Sequence, residues 1–165
     1  MGRDLCLGKG GLLGQSVPMS KPPRLAARAV LLHQDRLLLV NAWPGQQSPL
    51  WCAPGGGVEA HSSLPANLAR EVMEECGLEV EVGAPCLVNE FHDRGRDFHQ
   101  VEVFFRCRLL SGDPHGDWAD TEGVVNRRIW ATREEAAGLM LRPARLPDVA
   151  WGGGFAYDPL EALVR

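Results

Sequence analysis

The sequence predicts an α+β domain built on a central mixed sheet, and three observations carry that reading. Segments of strand character sit early, at 24–33 and 36–42, and again later, at 78–91 and 98–110. One strongly amphipathic helical segment, running from about Ser62 to Gly77, stands between the two groups. Strands and helices do not alternate regularly, which argues against a doubly wound parallel sheet. The expected total is six or seven strands with two or three helices.

Taken in order, "RLAARAVLLH" reads as a first strand, and after the polar turn "QD" the stretch "RLLLVNA" pairs back on it as a hairpin. "AWPGQQSP" is loop, because Pro and Gly punctuate it. "LWCAP" is short and apolar and leads into the glycine-rich turn "GGGVEAHSS". Ser62 or Ser63 caps the helix that follows, Pro65 is tolerated in its first turn, and Gly77 suits a left-handed residue past its end. Leu68, Ala69, Val72, Met73 and Cys76 share one side of that helix at helical spacing. "LEVEVGAPCLVNEF" and "FHQVEVFFRCRLL" are long strands separated by the polar arm "HDRGRD". "VVNRRIWA" is a further strand. "TREEAAGLM" is a helix with Thr132 and Glu135 as a capping box, and "DPLEALVR" is read as a last helix with Asp158 as its cap and Pro159 in its first turn.

The chain has 165 residues, 45% hydrophobic and 23% charged, which suits one domain, placed at 24–165. Residues 1–23 are rich in Gly, Ser and Pro without periodicity and read as a disordered leader, with Met1 and Met19 both open as translation starts. The net charge of -4 gives no reason to expect a polynucleotide or an anionic membrane as main partner. No run approaches the roughly 20 apolar residues of a membrane span. Five cysteines without CxxC spacing read as reduced thiols, and so a cytoplasmic protein is expected.

The helix carries an acidic stripe beside its core face: Glu71, Glu74 and Glu75. At the C-terminal end of a helix each uncompensated carboxylate costs roughly 0.3–1 kcal/mol against the dipole. Residues three and four apart are neighbours, so the three can converge, and an oxygen-only cluster suits Mg²⁺, with Mn²⁺ as a substitute. The five histidines are scattered, which disfavours Zn²⁺. The alternative is a solvated helix face on which Arg70 pairs with Glu74. Gly55, Gly56 and Gly57, joined directly to the helix, permit close ligand approach and deliver Glu59 to its start.

The stretch from Gly56 to Leu78 resembles the Nudix hydrolase box: a glycine, then after a spacer Arg70-Glu71, an apolar residue, Glu74-Glu75, Gly77 and Leu78 in the pattern's order. The resemblance implies a Nudix-like α/β/α sandwich around the mixed sheet. It also implies Mg²⁺-dependent hydrolysis of a pyrophosphate bond in a small nucleotide, a nucleoside diphosphate linked to another moiety. Ser62 departs from the pattern, which has a glutamate there, and His61 stands where a glycine is common. Ser62 brings no carboxylate, so Glu59 is the substitute, as the partner of Arg70 or as a water-mediated ligand, and a non-catalytic or weakly active nucleotide-binding module is the competing function.

On this reading Glu71, Glu74 and Glu75 are both metal ligands and catalytic residues, with Glu59 and Arg70 behind them. Glu122, in the loop before "VVNRRIW", is the candidate base, since members of the family often carry a functional glutamate there. His99 and Glu102 are further candidates. Arg28, Gly55, Gly56, Phe91 and Arg94 are expected to bind substrate. The "FHDRGRDF" arm is read as a lid or dimer arm, and Trp151 or Tyr157 as a stacking residue; the resemblance also admits a homodimer.

Overall fold

The computed structural model describes residues 21–121 and 123–164. The expected leader up to residue 20 and the candidate base Glu122 lie outside the described residues. Strands β1 (Arg24–His33), β2 (Arg36–Asn41), β3 (Trp51–Cys52) and β4 (Gly55–Gly57) precede helix α1 (Leu64–Cys76). Strands β5 (Glu79–Asp93) and β6 (Phe98–Ser111) follow, joined through a single 3₁₀ turn at Arg94–Arg96, then β7 (Arg128–Ala131), α2 (Arg133–Ala137), α3 (Leu146–Gly152) and β8 (Ala156–Ala162).

The sheet is mixed, as expected. Its order is β3-β2-β1-β6-β5-β8, with β4 added on β1 and β7 on β2. β1 runs parallel to β6 and β5 parallel to β8, while β1–β2, β1–β4, β2–β7 and β5–β6 are antiparallel. Alternation along the strands divides the apolar residues between two cores. Ala27, Ala29 and Leu31 of β1 with Leu38 and Val40 of β2 meet Leu68, Val72 and Cys76 of α1. On the other face Val30, Leu37, Leu39 and Phe104 meet Leu146 and Val149 of α3 and Ala136 of α2. Helices on both faces of one sheet make the α/β/α sandwich.

Helix α1 starts as its sequence dictates. Of the two candidate caps it is Ser63 whose hydroxyl accepts from Ala66 N, and Gly77 closes the helix at φ 65, its N–H donating to Met73 O. Ala69 and Met73 leave the predicted apolar side: Ala69 is half-buried, and Met73 is exposed at the edge of the stripe, whose buried line is Leu68, Val72 and Cys76. Thr132 and Glu135 form the predicted capping box.

Two expectations are overturned. The segment from Asp158 is a strand, β8, pairing in parallel with β5 through Leu87↔Ala156 and Asn89↔Asp158, so Asp158 caps no helix. Open hydrogen-bonding positions along β5 decide this against local helix signals, a tertiary override of propensity. Helix α3, which sequence reading did not assign, fills the layer instead, packing Leu146, Val149 and Ala150 into the core. The glycine-rich turn also contains a short strand, β4, registered on Ala26–Arg28.

Candidate functional site

The antiparallel addition of β4 to β1 seats the glycine loop over the sheet and against α1. Gly55 has φ 131, and a Cβ there would run into Ala27 O, so only glycine allows this approach. At Gly56 a Cβ would lie 2.5 Å from Glu71 Oε2: the missing side chain is the space in which the Glu71 carboxylate sits. Buried Asn67 ties the rest of the loop down, accepting from Glu59 N at 2.9 Å and donating to Ser63 O at 2.9 Å. Its amide was not singled out from the sequence, where a polar residue between Ala66 and Leu68 carries no pattern of its own.

Glu71, Glu74 and Glu75 all line one cleft of about 620 Å³, as do Gly55, Gly56, Arg28 and Phe91. That volume is within the range of small-molecule sites. The acids are not gathered into a preformed nest, and among the described residues no three His, Cys, Asp or Glu side chains are placed to hold a metal ion. Arg70 donates to Glu71 at 2.9 Å and to Glu74 at 2.7 Å, while Glu75 accepts from Gly55 N at 2.8 Å. Glu59 reaches Arg70 at 3.4 Å.

Burial pushes the Glu75 carboxyl up to about 7, against the pull of Arg28 and of the Gly55 N–H, and the charges of Glu71 and Asp120 push it further up. A divalent cation suits the chemistry of this donor set, though its carboxylates are not preassembled around one point. The oxygens are hard ligands facing one cleft, Gly56 leaves the Glu71 carboxylate room, and a cation beside Glu75 would stabilise its ionised form.

Asp120 was missed. It lies in the loop read for Glu122, lines the cleft, and accepts from Val124 N and Val125 N, both at 2.8 Å. The loop is stapled to the end of α1. Trp118 covers Gly77 and donates from Nε1 to Glu74 O at 2.9 Å, and Arg128 bridges Cys76 O and Gly116 O. The bare Gly77 that admits the indole is a signal the sequence held, but its partner Trp118, far along the chain, was not readable.

The remaining candidates separate. Arg28 faces the cleft with its donors engaged: Nε to Glu102 at 2.8 Å, Nη1 to Gly55 O and Ala53 O. Burial opposes its charge, but Glu102 above all holds the guanidinium above its ordinary pKa. Arg28 thus ties β1, β6 and the glycine loop together. Phe91 and Phe98 both line the cleft, their centroids 5.9 Å apart. Arg94 is exposed on the 3₁₀ turn and does not line the cleft, whereas Arg96 does. His99 bonds Glu90 at 3.1 Å, away from the acids, and Glu102 is the buried partner of Arg28 and of Gln100. Trp151 donates to Asp35 and Tyr157 to Glu90, and neither lines the cleft. The four described cysteines are free, Cys76 and Cys86 being buried.

With the glycine loop, Arg70 and the three glutamates in this arrangement, a sequence profile of the NUDIX domain matches residues 22–151. The chain belongs to the NUDIX family. It is 32% identical over 110 residues to diphosphoinositol polyphosphate phosphohydrolase 2 of Rattus norvegicus, covering 66% of this chain and 56% of that protein. It is 31% identical over 121 residues to the CTP pyrophosphohydrolase of Escherichia coli, covering 72% and 84%. The chain thus spans little more than half the rat protein's length but most of the bacterial one's. Among solved structures, a NUDIX hydrolase from Nitrosomonas europaea shares the fold at a TM-score of 0.67 and 22% identity, covering 83% of this chain and 93% of that one. No helix among the described residues of this NUDIX chain is long and apolar enough to cross a membrane.

Proposed function

We propose that this NUDIX chain hydrolyses the pyrophosphate bond of a small nucleotide, with Mg²⁺ or Mn²⁺ held by Glu71, Glu74 and Glu75. The observation that carries the reading is the half-buried Glu75 carboxyl, bonded to Gly55 N beside Glu71 in a cleft large enough for a nucleotide. When bound, the ion neutralises phosphoryl charge and lowers the pKa of water.

The chain's own residues do the placing. Gly55 N–H holds Glu75 toward the cleft, the bare Cα of Gly56 admits Glu71, and Arg70 with Glu59 and Glu74 keeps the stripe oriented. Such positioning and charge complementarity is most of what phosphoryl transfer requires of a protein. Phe91 and Phe98 offer apolar ring faces for a base. The names of similar proteins, a CTP pyrophosphohydrolase among them, support the substrate class. Glu122 remains the proposed base from the sequence pattern, with Asp120 a second acid in the same loop.

Incubation with CTP, ADP-ribose and UDP-sugars in Mg²⁺ or Mn²⁺ tests the reading: at least one should yield a nucleoside monophosphate, seen by phosphorus NMR. Glu75→Gln should lower turnover by at least about 10²-fold. A Glu75→Gln protein as active as wild type would overturn the metal assignment. The second reading, a binding module without turnover, is favoured by Ser62, which is exposed at the start of the loop–helix junction. It predicts nucleotide binding with no product, and product formation restored by Ser62→Glu. The Arg70–Glu59 pair favours turnover, because Arg70 keeps an acidic partner without a carboxylate at position 62.

A further inference from the structure

Four arginines line the cleft: Arg24, Arg28, Arg96 and Arg142. Three are occupied. Arg28 bonds Glu102 at 2.8 Å, Arg96 lies 3.7 Å from Asp93, and Arg142 lies 3.4 Å from Glu161. Arg24 alone among them has no acid within ion-pair distance among the described residues. Its guanidinium is nonetheless placed, against the glycine loop: a Cβ at Gly57 would stand 2.5 Å from Nη2 and 3.1 Å from Nε. Consecutive glycines therefore make room for opposite charges, Gly56 for the Glu71 carboxylate and Gly57 for the Arg24 guanidinium.

The register of the sheet continues this pattern away from the loop. Arg24 of β1 is paired with Gln100 of β6, and Gln100 in turn with Phe91 of β5. One row across three strands thus presents a cation, a buried amide and an aromatic ring, all lining the cleft. Neighbouring strands lie about 4.8 Å apart, so the row spans about 10 Å, the scale of a nucleotide from phosphate to base.

From this placement we infer that Arg24, and not the engaged Arg28, holds the substrate's diphosphate on the side opposite the acidic stripe, with Gln100 and Phe91 leading toward the base. The direction toward a base rests on the nucleotide reading above; the phosphate contact does not. A guanidinium is suited to it, since its planar fork meets two phosphate oxygens at once, which a lysine ammonium does not.

The test is calorimetric binding of three probes in Mg²⁺ to the full chain: methylenediphosphonate, α,β-methylene ADP and adenosine. Arg24→Ala should weaken both diphosphate analogues by ten- to a hundred-fold, the range of a charge-assisted hydrogen bond, while leaving adenosine unchanged. Arg24→Lys should recover only part of the loss. Unchanged binding of methylenediphosphonate by Arg24→Ala would overturn the assignment, as would an equal loss of adenosine, or a wild-type protein that binds no diphosphate. A wild-type protein that binds methylenediphosphonate through Arg24 but gains nothing from the adenosine moiety would uphold Arg24 and reject the nucleotide reading. Because Arg24 is exposed, the melting temperature of Arg24→Ala should stay within a degree or two of wild type, the expectation for a surface substitution.

Discussion

Replacing Gly56 by alanine separates folding from chemistry at a single methyl group. The three atoms nearest the added Cβ all belong to the Glu71 side chain, Oε2 at 2.5 Å, Cδ at 2.6 Å and Oε1 at 2.9 Å. Ordinary contact is about 3.4 Å or more, so the carboxylate must retreat by about 1 Å. Glu71 is flexible and half-buried, and the retreat costs the fold little. An alanine in a strand also gains roughly 0.5–1 kcal/mol over glycine in backbone entropy, so stability should stay within about 1 kcal/mol of wild type. A 1 Å error in a group that positions reacting atoms costs about 10²-fold in rate, or about 2.7 kcal/mol of transition-state stabilisation. The assay pairs thermal melting with kcat/KM on whichever nucleotide the wild type turns over. A Gly56→Ala protein that is folded and as fast as wild type would refute the placement of Glu71 at the reaction. The control is Gly55→Ala, where the Cβ meets the backbone of β1 at φ 131; it should fail to fold or lose several kcal/mol.

Other outcomes are expected from the same geometry. Glu75 binds its proton more tightly folded, near 7, than unfolded, near 4.5, so metal-free protein should lose stability as pH rises from about 4.5 to 7. The loss is at most about 3 kcal/mol, and Glu75→Gln should abolish it in melting curves at pH 5 and 7.5 while destroying turnover. Asn41→Ala should cost about 2–4 kcal/mol in denaturant titration, because its buried amide donates to Trp43 O and Val124 O and accepts from Asn126 N and Arg127 N. Trp118→Ala should lower kcat more than it raises KM, since it frees the Asp120 loop from the end of α1; equal activity would show that the staple is only structural. His61 sits at φ 67, a conformation glycine adopts without steric cost, so His61→Gly should be neutral or stabilising by up to about 1 kcal/mol on melting.

The legible part of this protein is local. Ser63, Pro65 and Gly77 delimit α1 because capping acts within a turn, and Glu71, Glu74 and Glu75 share a stripe because helical spacing allows nothing else. What the sequence concealed is set by partners far along the chain. Arg28, expected to bind substrate, lines the cleft, but its bond to Glu102 on a strand parallel to its own could not be read from the sequence. Arg24, at the start of a strand, carries no signal of its own in the sequence, and only the register of β1 against β4 and β6 puts it over Gly57. The segment from Asp158 carries helix-start chemistry and still forms β8, because the edge of β5 offers unpaired backbone groups along its length.

The parallel joining of β1 to β6 has a temporal side. Arg28 and Glu102 are 74 positions apart, and no hairpin can bring them together. During synthesis the β1–β2 hairpin must emerge and wait, one flank bare, for a neighbour that the ribosome delivers several seconds later. Such distant pairing slows folding and leaves a growing chain open to association with others, so the yield of soluble protein should respond to the rate of translation and to chaperone supply more than the melting temperature would suggest.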